Sequence, residues 1–455
     1  MYQHTSNTDI NAFVASVSDD FAKNYYIKPK YFDRYEVKRG LRNADGTGVM
    51  AGVTKIANVY GYTIIDAEKI PTPGQLIYRG IDIQDLINGF VSEDRFGFEE
   101  VAYLLLFGSL PTQEQLSEFN RIIAELRVLP ENFTEDMIIK NPSRSVMNKL
   151  ARSVLALYTY DDNADDTSIE NMLRQSLELI ARMPTIAAHA YSVKRHYFDN
   201  DSLFLHRPRD DMSIAENILY SIRKDTKFTQ EEARLLDLCM VLHAEHGGGN
   251  NSAFACRVLS STGTDTYSAI SAAIGSLKGP KHGGANKKVM EMFRHIEAGV
   301  SNWNDDEEIK DYLKKILSGE VGDGSGLIYG MGHAIYTLSD PRAVLLKKFA
   351  RSIAETKGML RELELREAVE RLTPEVMQEI TGEERIMCAN VDLYSGLVYQ
   401  MLDIPEDMYT PLFAVSRIVG WCAHRIEEIM CNRIIRPAYK AVAKNAEYVP
   451  MSLRK

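Results

Sequence analysis

Between His243 and Asn286 the chain twice interrupts a helical apolar pattern with a cluster of glycines beside a histidine, in HAEHGGGNNSAF and in GPKHGGAN. Glycines this close together deny both stretches a continuing helix, so any fold must place two turns here. The first turn closes a helix. Thr229 to Glu232 has the form of a capping box, and Leu235, Leu238, Cys239 and Leu242 follow at helical spacing before Gly247 to Gly249. The second turn opens one, because Val289, Met292, Phe293 and Ile296 recur at helical spacing after Gly279-Pro280 and predict a helix starting near Asn286. His246 therefore falls at a helix end and His282 just before a helix start. There the positive end of the helix dipole disfavours imidazolium and leaves a neutral ring able to donate a hydrogen bond. A single histidine so placed serves equally well as a cap. Two of them, each against a glycine turn, point to a site that polarises a carbonyl.

At 455 residues, 45% apolar and 25% charged, the chain can bury more than one core. Its net charge of −10 argues against a general nucleic-acid or membrane surface, so an anionic ligand would be gathered by local Arg and His. The C-terminal stretch with Arg433, Arg436, Lys440 and Lys444 is one such locality. The cysteines at 239, 256, 388, 422 and 431 form no CxxC pair and read as small buried hydrophobes. The longest apolar-rich run, Val101 to Leu110, is too short to span a bilayer, and the first residues carry neither a basic leader nor an apolar signal core. A cytoplasmic protein is the expectation.

Along the chain, residues 1–50 read as a helix-like start followed by an extended arm. Thr54 to Ile65 and Gly74 to Tyr78, β-branched and aromatic and separated by a Pro/Gly turn, make one small sheet. Helical spacing dominates afterwards, at 98–106, 112–127, 145–158, 169–182, 213–223 and 341–369. Residues 160–168 read as an acidic solvated loop, since they lack the mid-loop glycine and closing glutamate of a calcium-binding EF-hand, and 301–324 as an exposed connection.

Further constellations lie downstream. GDGSGLIYGMGH ends on His333. A dinucleotide fingerprint would need its third glycine at Leu327, yet a glycine loop still lets backbone amides approach a phosphate- or adenine-bearing group. Asp392 precedes the helical stripe Leu393, Leu397, Val398 and Met401, as an N-cap or as a restrained general base. Within 415–430, Arg417, Trp421, His424 and Glu428 lie opposite an apolar stripe. A solvated face is the ordinary reading, but Trp421 argues for a second buried contact or a cleft, and Arg417 is a candidate anion clamp. Cys239, His243 and His246 share a helical face and pose a metal reading, against which the order is not HExxH and glycine follows at once.

Taken together, HAEHGGGNNSAF, GPKHGGAN, GMGHAIYTLSDPRA, NVDLYSG and SRIVGWCAHRIEE followed by RIIRPAY resemble the citrate synthase family. The similarity extends back to LIYRGIDIQDL, FEEVAYLLLFGSLPT and MPTIAAHAY, nearly the whole chain after residue 50. The resemblance implies a mainly α, two-domain fold with a small N-terminal β element. It implies a large domain, 1–283 with 404–455, a small domain, 284–403, an active site in the cleft between them, and a homodimer. It implies the condensation of acetyl-CoA with oxaloacetate and water to citrate and CoA, through an enol or enolate and hydrolysis of citryl-CoA. Neither a metal nor a cofactor is expected, acetyl-CoA being a substrate. By position, Asp392 corresponds to the base that removes a methyl proton, His282 to the donor to the thioester oxygen, and His333 to the group that polarises the oxaloacetate carbonyl. His246, Arg342, Arg417 and Arg436 correspond to a carboxylate clamp, with Arg436 supplied to the other subunit. Asn250 and Ser252 correspond to groups that orient the catalytic histidines. Leu327, Ile328, Tyr329, Gly330, Met331 and Gly332 match a backbone loop around the CoA adenine, with Asn390 alongside and Arg385 where some members place a lysine near the CoA phosphates. Lys281 departs from the pattern and adds a cation beside His282. A 2-methylcitrate synthase using propionyl-CoA is the near alternative, because one methylene is discriminated by only about 1–3 kcal/mol. A non-catalytic helical scaffold is the alternative of a different class, and it would not require the full Asp, His and Arg set.

Overall fold

The computed structural model describes residues 11–454 apart from 13, 17, 19–24, 44, 66–67, 383–385 and 445, so Arg385 lies outside the described residues. The chain divides into two compact units, Met1–Ala51 with Arg436–Lys455, and Gly52–Ile435. In the first, a short helix spans Lys30–Arg34, and a bridge between Arg42 and Gly48 closes a loop in which Asp45 accepts from the Thr47 amide at 2.9 Å. The described part of the expected arm is mostly exposed.

The second unit opens with an antiparallel sheet in the order β1 (Ala57–Ile65), β2 (Glu68–Tyr78), β3 (Ile81–Asp82). Its register corrects the sequence reading. Ala57 pairs with Tyr78 and Tyr60 with Gln75, but Tyr62 pairs with Pro71, so Gly61 alone stands opposite Thr72, Pro73 and Gly74. The Pro/Gly stretch is therefore a bulge within β2 and not the turn between strands. A bulge is where a residue without an N–H costs the ladder least.

Helices follow: α1 (Ile83–Ser92), α2 (Phe98–Phe107), α3 (Gln113–Leu126), α4 (Val146–Ala156), α5 (Ile169–Phe198), α6 (Ile214–Ile222), α7 (Gln230–His243), α8 (Asn251–Ser260), α9 (Thr266–Lys278) and α10 (Ala285–Gly299), then α11 (Asp306–Leu317), α12 (Pro341–Thr356), α13 (Leu360–Thr381), α14 (Asp392–Met401) and α15 (Tyr409–Cys431). The Thr229/Glu232 capping box that predicts α7 is present on both sides. Three helical stretches differ from the sequence reading. α5 runs on past Pro184 because its distal half buries Ile186, Ala187, Ala188, Ala190 and Val193, and that burial outweighs the proline's lost bond. The supposed connection at 301–324 contains α11, capped by Asp305 and burying Ile309, Leu313 and Ile316. The 341–369 stretch is two helices broken at Gly358, whose φ is 68°. In the acidic loop, Asp161 is tied down rather than solvated. Burial would raise its carboxyl, but hydrogen bonds from Arg174, Gln175 and Tyr267 hold it low. Four cysteines are buried as expected, while Cys431 is exposed. Among the described residues no helix is long and apolar enough to cross a membrane.

The core is organised on α15, which packs against α2, α5, α7, α8 and α9. The face that would ordinarily be solvated is buried too: Arg417, Trp421 and His424 are each 0% exposed. At Gly420 the helix meets the turn after α7 so closely that an added methyl would lie 2.1 Å from Glu245 Oε2 and 2.6 Å from the Ala244 carbonyl. Alanine normally gains about 1 kcal/mol over glycine within a helix. Here Gly420→Ala should instead destabilise by about 1–3 kcal/mol, measured by denaturant melts, and a stabilised variant would show that the turn can move away freely.

Candidate active site

Three turns and two helix starts converge in the second unit. At the first turn α7 ends on His243, whose Nδ1 lies 2.7 Å from the Cys239 carbonyl, so that this ring is bound back onto its own helix. Gly247 has φ 82°, a conformation that favours glycine. His246 projects from the turn, buried, with no hydrogen-bond partner on Nε2. Its ring centroid lies 5.2 Å from that of His333 and 5.6 Å from that of Tyr336. Burial first, then Arg342, holds its pKa well below the usual imidazole range.

The second turn depends on Gly283, where a methyl would lie 2.5 Å from the Leu277 carbonyl. His282, half-buried, places Nε2 3.0 Å from Ser252 Oγ. That hydroxyl lies 2.9 Å from Asn250 Oδ1 and accepts from Trp421 Nε1 at 3.1 Å. Asn250 stands at the start of α8 without capping it, because its side chain is turned to Ser252. Burial and then Arg417 push His282 down to about 4. Lys281 is exposed and is not among the groups that shift it.

The third turn, the glycine loop ahead of His333, is fastened to the segment before α14. Gly332 N donates to Cys388 O at 2.8 Å, Asn390 N to Gly330 O at 2.8 Å, and Asn390 Nδ2 to Gly332 O at 2.9 Å. Gly330 has φ 86°, and a methyl there would lie 2.8 Å from Leu393 Cδ1. The Asp392 amide donates to Asn390 Oδ1 at 3.0 Å, so it is Asn390 that bonds the helix start while Asp392 is the first helical residue. Burial pushes the Asp392 carboxyl up to about 6 against the opposing pull of Arg342. His333 Nδ1 accepts from the amides of Ile335 and Tyr336 at 3.1 Å each. In the neutral ring the proton is then on Nε2.

Two arginines complete the group. Asp340 caps α12 through the Arg342 amide at 3.0 Å and takes the Arg342 guanidinium in two bonds, at 3.0 and 2.7 Å. Arg417 spends only Nε, on the His243 carbonyl at 2.7 Å, and both its terminal nitrogens are buried without a partner. Burial lowers its pKa to about 10, with Glu245 opposing. Phe413 lies between the elements, 4.7 Å from Arg417 and 6.2 Å from the His282 ring.

The structure thus gathers His246, His282, His333, Arg342, Asp392 and Arg417, with Asn250, Ser252 and Asn390 behind them. Leu327 is exposed, and the Tyr329 hydroxyl bonds Asp323 at 2.8 Å and Ser325 at 3.1 Å within the glycine loop. Arg436 is exposed and belongs to the other unit. Sequence reasoning passed over Phe413, Tyr336, Asp340, Glu245 and Arg257, and placed on an ordinarily solvated face His424 and Glu428, which form a buried chain with Glu245 and Arg257. For Asp340 a signal existed, since Asp-Pro reads as a cap with proline in the first turn.

Imidazoles held neutral, a carboxyl with raised pKa and an arginine with two open donors make an arrangement capable of acid–base chemistry. It suits a carboxylate-bearing substrate and proton transfer beside a carbonyl. Residues 44–438 match the family described as citrate synthase, C-terminal domain. The chain is 34% identical to citrate synthase of Synechocystis over 428 residues, covering 93% of this chain and 95% of that one. It is 32% identical to 2-methylcitrate synthase 1 of Corynebacterium glutamicum, covering 92% and 99%. Among solved structures it is similar to citrate synthase of Thermotoga maritima (TM-score 0.72, 30% identity, 92% and 99% covered). It is also similar to the ternary complex of carboxymethyl coenzyme A and oxaloacetate with the Thermoplasma acidophilum citrate synthase (TM-score 0.74, 26% identity, 92% and 99% covered). The chain belongs to the citrate synthase family.

One property of the site is directly measurable. The His282 pKa is depressed to about 4 in the fold from an ordinary 6.5, so the unfolded chain binds more protons between those values. This group's share of stability is complete above about pH 6.5 and is lost as the pH falls towards 4. An NMR titration of the His282 ring should have its midpoint near 4, whereas a midpoint near 6.5 would show a solvated ring.

Proposed function

We propose that the chain condenses acetyl-CoA with oxaloacetate and water to give citrate and CoA. The observation that carries this reading is the pairing of a carboxyl titrating near 6 with neutral histidines and an arginine whose two donors are open. Asp392 removes a proton from the acetyl methyl group. His282 donates to the thioester oxygen as the enol or enolate forms. For this the Ser252 hydroxyl turns its hydrogen away from Asn250 Oδ1 to Nε2, which puts the ring proton on Nδ1. His333, protonated on Nε2, polarises the ketone of oxaloacetate and delivers its proton as the carbon–carbon bond forms, after which citryl-CoA is hydrolysed. His246, Arg342, Arg417 and Arg436 hold the carboxylates, guanidinium suiting bidentate pairing. The loop from Leu327 to Gly332, with Asn390 and Arg385, receives CoA.

On this reading the large domain is 1–283 with 404–455 and the small domain is 284–403. His246 and His282 come from one, His333, Arg342 and Asp392 from the other, and Arg417 from the return into the first, an arrangement that supports closure on bound substrate. The chain works as a cytoplasmic homodimer, needs no cofactor beyond its substrates, and receives Arg436 from the second copy. Thiol release with oxaloacetate and either acetyl-CoA or propionyl-CoA tests the substrate, and a larger kcat/KM for propionyl-CoA would overturn it.

Since only the ionised carboxylate accepts a proton, kcat/KM should fall on the acid side with an apparent pKa near 6. Asp392→Ala should lose at least about 100-fold in kcat while remaining folded. A profile flat from about pH 7 to 5, or near-normal turnover by the variant, would remove Asp392 from the mechanism.

Shared sites make a second test available. Asp392→Ala and Arg436→Ala chains, each inactive alone, should recover about a quarter of wild-type activity after subunit exchange, because half the dimers are mixed and half their sites escape both lesions. Exchange demonstrated by mass with no recovery would place Arg436 in its own chain's site.

A further inference from the structure

Tyr336 stands among the groups that would hold oxaloacetate, yet none of the roles above uses it. It is 1% exposed. Its ring stacks on His333 with centroids 4.6 Å apart and planes at 27°, and meets His246 edge-on at 5.6 Å. The Arg342 guanidinium carbon lies 6.0 Å from the same ring centre. Its backbone amide is one of the two donors that fix the His333 tautomer. One side chain therefore touches or faces three groups, two from separate turns and one from a helix start.

The β1–β2 hairpin presses this tyrosine into place through two glycines. A methyl on Gly61 would lie 2.9 Å from Tyr336 Cα, and one on Gly74 would lie 2.6 Å from Tyr336 Cδ1 and 2.1 Å from the Ser339 carbonyl. Both glycines lie in the bulge, where β1 and β2 slip past each other in register. Hydrogen bonds stitch the same contact. Thr337 Oγ1 donates to Gly61 O at 3.3 Å, Gly74 N to Ser339 Oγ at 3.1 Å, and the Tyr336 hydroxyl to Gln75 O at 3.4 Å. Burial holds that phenol far above its usual pKa, so it stays a donor.

We propose that Tyr336 is a positioning residue which sets the mutual orientation of His246, His333 and Arg342 for the oxo-dicarboxylate substrate, and that the Gly61/Gly74 bulge is the device that holds it. This rests on the functional reading above. The planar ring provides a stacking surface for one imidazole and an edge for the other, and misplacing a positioned group by about 1 Å is enough to cost on the order of 100-fold in rate. The hydroxyl contributes only its bond to Gln75 O, so the ring carries the effect.

The test compares steady-state constants for both substrates, each varied with the other saturating. Tyr336→Leu removes the ring and should raise KM for oxaloacetate about 10-fold and lower kcat about 10-fold, leaving KM for acetyl-CoA within about twofold. Tyr336→Phe keeps the ring and should restore most of both constants. Gly74→Ala should reproduce the Tyr336→Leu signature although it lies on β2 and serves no substrate directly. A cooperatively folded Tyr336→Leu protein with unchanged oxaloacetate constants overturns the proposal. So does a parallel rise in both KM values with a lowered melting temperature, which would mark a merely structural residue. If Gly74→Ala does not fold, the two Tyr336 variants decide the matter alone. Wild-type protein that releases no thiol from acetyl-CoA would sink the functional reading and this inference together, whereas active wild type with an insensitive Tyr336→Leu sinks the inference only.

Discussion

The guanidinium of Arg417 has no exposed surface and leaves two nitrogens without partners inside the protein. Such a group is expensive to bury, and on the proposed reading an incoming carboxylate offsets that expense. Its helix is built to carry that cost. Along one side of α15, Arg417 donates to the His243 carbonyl, Trp421 donates to Ser252 and so reaches His282, and His424 bonds Glu245 at 2.9 Å next to His246. Successive turns of one helix thus brace the glycine turns that the sequence announces. Behind His424 the guanidinium of Arg257 lies against Nδ1 and also bonds Glu427 and Glu428, so His424 presents its Nε2 hydrogen to Glu245.

A single physical cause sets the acid–base balance of the site in opposite directions. Removing water disfavours whichever form is charged, so it lowers histidines and raises a carboxyl. His282 falls to about 4 and Asp392 rises to about 6. At neutral pH this leaves uncharged donors beside an acceptor that is mostly ionised and only weakly acidic when protonated. Neighbouring charges refine the values without reversing them. Arg342 restrains the rise of Asp392, while Asp340 grips Arg342 at two atoms.

Much of this was legible in the residues. The helices before and after the glycine turns were marked by a capping box and by apolar spacing, both short-range signals. The catalytic candidates were marked by motifs that keep a histidine or an aspartate next to glycines. Apart from the local Asp340 cap, most of what escaped reading was decided over long range. No local signal tells that Pro184 lies in a continuous helix, because that depends on what its distal half buries. The bulge at Gly61 depends on pairing between strands. His424 looked like a solvated residue, although its partners Glu245 and Arg257 lie 179 and 167 positions away in the chain. The neutral state of His282 was expected, but the shift comes from burial and from Arg417 and needs no appeal to the helix dipole on which the sequence argument leaned.

The cross-bonds between the glycine loop and the segment before α14 bear on the lifetime of the active state. Gly330, Gly332, Cys388 and Asn390 share three hydrogen bonds among them, with His333 one residue beyond the first strand of the bridge and Asp392 two residues beyond Asn390. A fluctuation that unzips this bridge loosens the backbone beside both residues at once. Local opening free energies are shared by groups that open together. On the proposed mechanism, the proton acceptor and the carbonyl-polarising group are therefore loosened and restored as a pair.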